Sequence, residues 1–498
     1  MRLHALLPFD KARVAGFVFL AALACTCLPA RAAPSFNELP KAQQHAVGDL
    51  EKRTFEFFRD SANTANGMVP DHWPDDHIGD YFSSIAAIGF GLTAYGVGAE
   101  RGWMTRTEAV KRTLTTLRFF HDAPQGEAPD LSGNHGFFYH FLDMQTGRRY
   151  HAAHWDELST IDTTLLLGGV LFAQSYYDHD TRDEKEIRKL ADEIYRAVDW
   201  QWASPRAPLV AMGWTPEAGF IHVDWHGYNE AMLLYVLALG SPTHAVGAGA
   251  WKAWSETYDR TWGSFQGQEH LGFGPTLGHQ YSHVWIDFRG IRDDYMRAHD
   301  LDYFENSRRA AFAQREYAIH NPLQWQDYGA NIWGLTACNG PRKEKLQPGE
   351  VDRYAHDPKT FYGYIARGAG LRDTLDDGTI APTAAAASIA FAPEIVVPAI
   401  VEMQHRYGDN VYTKYGFVDA FNPSFHFTDR PLRTGRIVPG DGWVDTLYIG
   451  IDQGPIVAMI ENYRSDLIWK VMRKNPYVRE GLKRAGFSGG WLERSAKK

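Results

Sequence analysis

The feature that most limits how this chain can fold is a recurring pair of helical patterns. In each pair the first segment is apolar nearly all round, and the second carries one apolar stripe beneath a charged face. Ser84–Ala99 is followed by Thr105–His121, Thr160–Tyr177 by Asp183–Trp202, and Gly227–Leu239 by Val246–Tyr258. Residues around Ile291 precede Asp302–His320, the Ala-rich Thr383–Phe391 precedes Pro393–Arg406, and Gly450–Tyr463 precedes Leu467–Lys474. A helix without a polar face must be buried on every side, whereas a striped helix covers a core from outside. Six such pairs predict two concentric rings, an all-α (α/α)6 barrel or toroid. A solenoid would need a constant repeat period, and the spacing here varies.

The uneven spacing comes partly from insertions that read as β-hairpins. Phe137–His154 alternates around Gln145-Thr146-Gly147, and Leu209–Trp225 alternates around Thr215–Gly219. Each leads into an inner helix with acids at its start, so a binding site is expected on the rim they decorate.

The N-terminus reads as a secretory leader. Arg2, Lys11 and Arg13 precede an apolar run, Val14–Leu28, and then Ala30-Arg31-Ala32, a small-residue cleavage site. The run is short for a membrane span of roughly 20 residues. The expected layout is therefore a signal peptide at 1–33 and one catalytic domain at 34–498, located in the periplasm without stable membrane insertion. Cys25 and Cys27 fall in the leader, and Cys338 alone cannot form an internal disulfide. Stability must come from a large core. Removing residues 1–33 takes four basic residues and one acid from a chain of formal charge −9, leaving −12. That balance argues against nucleic acid and against a lyase site for anionic polysaccharide, since both need a basic groove. With 16 Trp, 24 Tyr and 28 Phe, a neutral sugar is the better fit, because its flat apolar faces stack on rings while acids and amides hold its hydroxyls.

Glycosidic cleavage needs one carboxylic acid to protonate the leaving oxygen and a second to activate water or attack the sugar. Three settings offer them. In Trp155-Asp156-Glu157-Leu158-Ser159-Thr160-Ile161-Asp162, Asp162 opens an otherwise apolar helix; Ser159 or Thr160 is the expected N-cap, and Asp162 equally suits a capping role. In Trp225-His226-Gly227-Tyr228-Asn229-Glu230, the glutamate precedes ten uncharged residues, a setting that raises its pKa and suits a general acid. In Tyr415–Pro423, Asp419 lies between aromatics, Phe421 among them, in a loop that it equally suits as a structural residue. Asp452, beside Gln453, has an N-cap as its competing role. His279, His283 and Asp287, with Tyr281 and Trp285, read as a ligand-lined segment. An alternating His-x-Tyr-x-His run is not metal-ligand spacing, so no metal is expected.

Several of these stretches resemble the bacterial glycoamylase-like family that includes the endo-β-1,2-glucanases of glycoside hydrolase family 144. They are Glu157–Thr163, Tyr228–Ala231, Leu239–His244, Tyr415–Pro423, Gly450–Pro455 and Ile460–Tyr463. The resemblance, from about Leu50 to Ala485, implies an (α/α)6 barrel, anomer-inverting endo-hydrolysis of β-1,2-glucan, and no cofactor. It implies Glu230 as general acid and Asp419 as general base, with Glu157 and Asp162 lining the cleft. Trp155, Trp225, Tyr228, His283, Trp285, Phe421, Asp452 and Gln453 complete the expected sugar-binding set, and a monomer is expected. The alternatives are an exo-acting or glucoamylase-like hydrolase, and a non-catalytic glucan-binding protein.

Overall fold

The computed structural model describes residues 33–74, 81–150, 156–342 and 361–493. Its helices are α1 (Lys41–Ser61), α2 (Ile85–Glu100), α3 (Arg106–Asp122), α4 (Thr160–Tyr176), α5 (Arg182–Ala197), α6 (Met232–Gly240), α7 (Ala250–Ser255) and α8 (Leu277–Trp285). They continue with α9 (Asp294–Ala298), α10 (Tyr303–His320), α11 (Pro382–Ala386), α12 (Pro393–Val411), α13 (Gly450–Ser465), α14 (Leu467–Met472) and α15 (Pro476–Arg484). No described helix is long and apolar enough to cross a membrane. The expected leader lies outside the described residues, apart from Ala33.

The fold is helix-rich and layered, of the α/α toroid kind. Nearly every residue of α2, α4 and α6 is buried, as their lack of a polar face requires. α2 packs on α4, α4 on α6, α6 on α8, α11 on α13, and α13 back on α2. α8 reaches the α11 region through Gln280, whose amide donates to Ala384 O and Ser388 Oγ, both at 2.8 Å. α1, α3, α5, α10 and α12 lie against these inner helices. Glycines let α2 and α4 approach closely: a Cβ on Gly169 would sit 2.0 Å from Gly89 O, and one on Gly89 would sit 2.2 Å from Leu165 O.

Caps set several boundaries within a residue of those read from the sequence. Ser84, Thr105, Ser159 and Thr181 each accept a backbone N–H with their side chains. α1 lies outside the six pairs read from the sequence, yet it buries Phe55, Phe57 and Phe58. Two readings need correction. The buried partner of α10 is α8, not the segment around Ile291. The sixth-residue start of α6 is later than expected: Gly227–Ala231 is a turn, and the helix begins at Met232.

Both insertions form short antiparallel pairs. Asp143 caps the first turn, taking the N–H groups of Gln145 and Thr146, while Phe141–Asp143 pairs with Phe82–Ser84. In the second, Gly213–Thr215 pairs with Gly219–Phe220 and with Leu158–Ser159, immediately before α4. Rim strands thus aim the starts of the inner helices.

Candidate active site

Glu230 sits on a turn tied down from three sides. Gly227, in the left-handed region at φ 76°, donates its N–H to Trp254 O at 2.8 Å. Asn229 Oδ1 accepts the Ala231 N–H at 3.0 Å, and Ser282 Oγ on α8 donates to Glu230 O at 2.9 Å. The side chain is half-buried, and its Oε2 has no hydrogen-bond partner among the described groups. Burial pushes its carboxyl up to about 7, and the nearby negative charge of Asp162 adds to the effect.

Asp162 is buried in the first turn of α4, where Ser159 Oγ donates to its Oδ2 at 2.6 Å. His140, on the first insertion, joins it to Glu157: Nδ1 lies 3.0 Å from Glu157 Oε1, and Nε2 lies 3.4 Å from Asp162 Oδ2. Burial opposes a charge on His140, but Asp162 and Glu157 outweigh it and push the imidazole up to about 10. Asp156 beside them is fully buried, accepting the Phe141 and Tyr150 N–H groups, and burial pushes it up to about 8.

A second acidic group lies under the 417–453 region. Asp419 takes the Asn339 N–H on Oδ2 at 2.7 Å, and its own N–H donates to Leu447 O at 2.8 Å. Asp452, in the first turn of α13, is pushed up to about 7 by burial, and the titrations of the two carboxyls are coupled. Burial and the charges of Asp452 and Asp445 raise Asp419 well above the usual carboxylate range. Gln453 braces this arrangement by donating to Phe417 O at 3.0 Å. Tyr281 on α8 lies in the field of Asp452, Glu230 and Asp162 together, and burial with these charges raises its hydroxyl well above its ordinary value.

A cleft of about 360 Å³ is lined among others by Asp71, His140, Phe141, Asn339, Tyr364 and Ile451; from it His140 reaches Glu157 and Asp162, and Asn339 reaches Asp419. The Tyr364 wall is anchored from behind. Arg367, fully buried, donates twice to Asp377 at 2.8 Å and also to the carbonyls of Cys338 and Gly363. Tyr364 itself stands exposed at the cleft.

The structure places several expected sugar contacts in the core instead. Trp285 is fully buried, stacks on Phe90 with ring centres 4.9 Å apart, and donates to Thr93 Oγ1 at 3.0 Å. His283 is fully buried against Ser307 Oγ, Phe288 and Phe391. Phe421 packs on Tyr407 at 4.5 Å. Trp225 braces Thr160 Oγ1, and the Tyr228 hydroxyl meets His279 Nδ1 at 3.0 Å; both support the Glu230 turn from beneath. Trp155 lies outside the described residues. The alternating pattern at 279–285 thus reports a buried helix, whose apolar and aromatic residues look alike in sequence whether they meet protein or ligand. Conversely, His140, Asp71 and Tyr364 were not singled out. His140 alone left a trace, as the one basic residue in the Phe137–Leu142 run.

Residues 222–476, just over half of the chain, match the Glycoamylase family model. The chain belongs to the glycoamylase family. An exo β-1,2-glucooligosaccharide sophorohydrolase of Parabacteroides distasonis is 26% identical over 480 residues, covering 90% of this chain. The chain spans 59% of that relative's length. A solved endo-β-1,2-glucanase from Chitinophaga pinensis, in complex with sophorotriose and glucose, aligns with a TM-score of 0.75 at 27% identity. It covers 90% of this chain and 99% of its own. A solved β-1,2-glucanase from Parabacteroides distasonis aligns at 0.74 and 25% identity, over 90% of this chain and 60% of its own. Within the family match lie Glu230, Asp419 and Asp452; Glu157 and Asp162 precede it.

Proposed function

We propose that this glycoamylase-family protein is a glycoside hydrolase that cleaves β-1,2-glucan with inversion at the anomeric carbon. The observation that carries the reading is Glu230: a carboxyl on a braced turn, pushed up to about 7 by burial, keeps a proton to donate at neutral pH. Glu230 is the general acid. The Asp419–Asp452 pair is the base; their titrations are coupled, and the anionic carboxylate accepts a proton from water. The family resemblance supports Asp419 as the member of the pair that acts on water. The similarity to β-1,2-glucanases over nine-tenths of the chain supports the linkage.

The finer architecture is an (α/α)6 barrel, supported by the circuit of contacts through α2, α4, α6, α8, α11 and α13. The protein acts as a monomer in the periplasm after loss of residues 1–33, a reading that rests on the leader pattern. Action is endo, as for the Chitinophaga pinensis enzyme. The exo-acting relative motivates a second reading, release of sophorose from chain ends.

Two measurements test this. Incubation with a panel of β-1,2-, β-1,3-, β-1,4- and α-1,4-glucans should yield products from the β-1,2 polymer alone. A ladder of oligosaccharides supports endo action, and sophorose alone supports exo action. Glu230→Gln should lower kcat by at least about 10²-fold, the typical worth of a general acid, with the fold intact; wild-type turnover in that variant sinks the assignment.

A further inference from the structure

We propose that His140 is a positioning residue, an imidazolium clamped between Glu157 and Asp162 that holds Asp162 ionised beside Glu230 and so keeps the proton on the general acid. The proposal rests on the reading of Glu230 above and assigns a role to a residue outside the acid and base.

Geometry carries it. Both ring nitrogens of His140 face carboxylate oxygens, at 3.0 Å and 3.4 Å. A neutral imidazole has a single N–H, so one of these contacts would set a lone pair against a carboxylate; the imidazolium donates to both. The ring cannot turn away easily. It stacks on Phe141 with centres 4.0 Å apart, and its backbone is paired on both sides, N–H to Glu157 O and C=O from the Ile85 N–H. The ionisable groups facing it are Glu157, Asp162 and Asp156, and Asp71 and His72 line the same cleft. Of these, Asp156 is pushed up to about 8 by burial and is largely uncharged at neutral pH.

The consequence passes through Asp162. Burial favours its protonated form, and the His140 charge and the Ser159 hydroxyl oppose that. Without the cation Asp162 takes up a proton. A neutral Asp162 no longer repels the Glu230 anion, and Glu230 gives up its proton at lower pH.

The experiment pairs kinetics with a direct reading of the ring. The kcat/KM–pH profile on β-1,2-glucan should show the alkaline limb of His140→Asn displaced to lower pH by about one unit, with kcat falling more than KM rises. Asp162→Asn should displace it the same way. In wild-type protein, long-range 1H–15N spectra, assigned by difference against His140→Asn, should show both His140 nitrogens protonated up to pH 8.5. A neutral-imidazole pattern at pH 8 overturns the clamp, and should His140→Asn not fold, contacts of the ring protons to the Phe141 ring supply the assignment in wild-type protein. A folded His140→Asn with an unmoved alkaline limb overturns the link to Glu230. Turnover retained in Glu230→Gln would instead remove the functional reading itself and leave the ring's charge as a separate, measured result.

Discussion

Two acids with similar sequence surroundings end up with different company, and that difference sets their chemistry. Among the described residues no cation contributes to the titration of Glu230 and its Oε2 has no partner, so burial dominates. Asp419 lies in the field of Asp452, which raises it and couples their titrations. Asp452→Asn should therefore disturb the acid limb of the pH–rate profile as strongly as Asp419→Asn, because each removes half of the pair; a profile moved by only one of them would assign the base to that residue. The aromatic candidates behave otherwise. Trp285→Ala should destabilise the protein by about 3–5 kcal/mol, the usual cost of emptying a buried Trp site, in denaturant unfolding. KM in the folded fraction should stay unchanged, and a selective rise in KM would return Trp285 to the sugar site.

At the scale of elements, closeness of approach matters more than propensity. α2 and α4 carry Gly89 and Gly169 where each would otherwise place a Cβ against the other's backbone. Gly169→Ala should cost about 1–3 kcal/mol through overpacking, despite alanine's better helix propensity, and thermal unfolding should report the loss. The 361–381 segment depends instead on one buried ion pair. Arg367→Met strands Asp377 without its charge partner, a change worth about 3–5 kcal/mol when a buried pair is broken. Because the same segment presents Tyr364 to the cleft, KM for the glucan should rise in that variant as well. A stable variant with unchanged KM would show that the wall stands without its anchor.

Over the whole molecule, buried titratable groups pull stability in opposite directions with pH. His283, pushed down to about 3 by burial, stays neutral in the fold while the unfolded chain protonates near 6.5. The unfolded state therefore binds more protons between these values, and stability contributed by a neutral His283 is lost as pH falls below 6.5. His279 is lowered for the same first reason. Glu230 and Asp156, raised by burial, act the other way and favour the fold as pH falls from about 8 toward the ordinary carboxylate range. The clean test is a difference. The melting temperature of His283→Gln should lie below wild type at pH 7.5, and the gap should narrow as pH drops from 6.5 to 4.5. A gap that stays constant with pH would mean that the histidine is not buried in its neutral form.

Much of this was legible along the chain, because some properties are local. Helices without a polar face have to be inside, and Ser84, Thr105 and Ser159 mark helix starts through bonds to residues only three positions on. An acid followed by uncharged residues, as at Glu230, announces its own desolvation. What the sequence left open depends on residues far apart in the chain. His140 meets Asp162 only because a rim strand folds over the start of α4, and Asp419 and Asp452 titrate together across two elements that Gln453 ties to each other. Trp285 and Tyr364 make the same point from opposite sides: a ring's place in core or cleft is decided by what packs against it. The apolar patterning determined which segments lie inside; the tertiary structure alone decided which charges share a space, because electrostatic coupling depends on distance through space and not on separation along the chain.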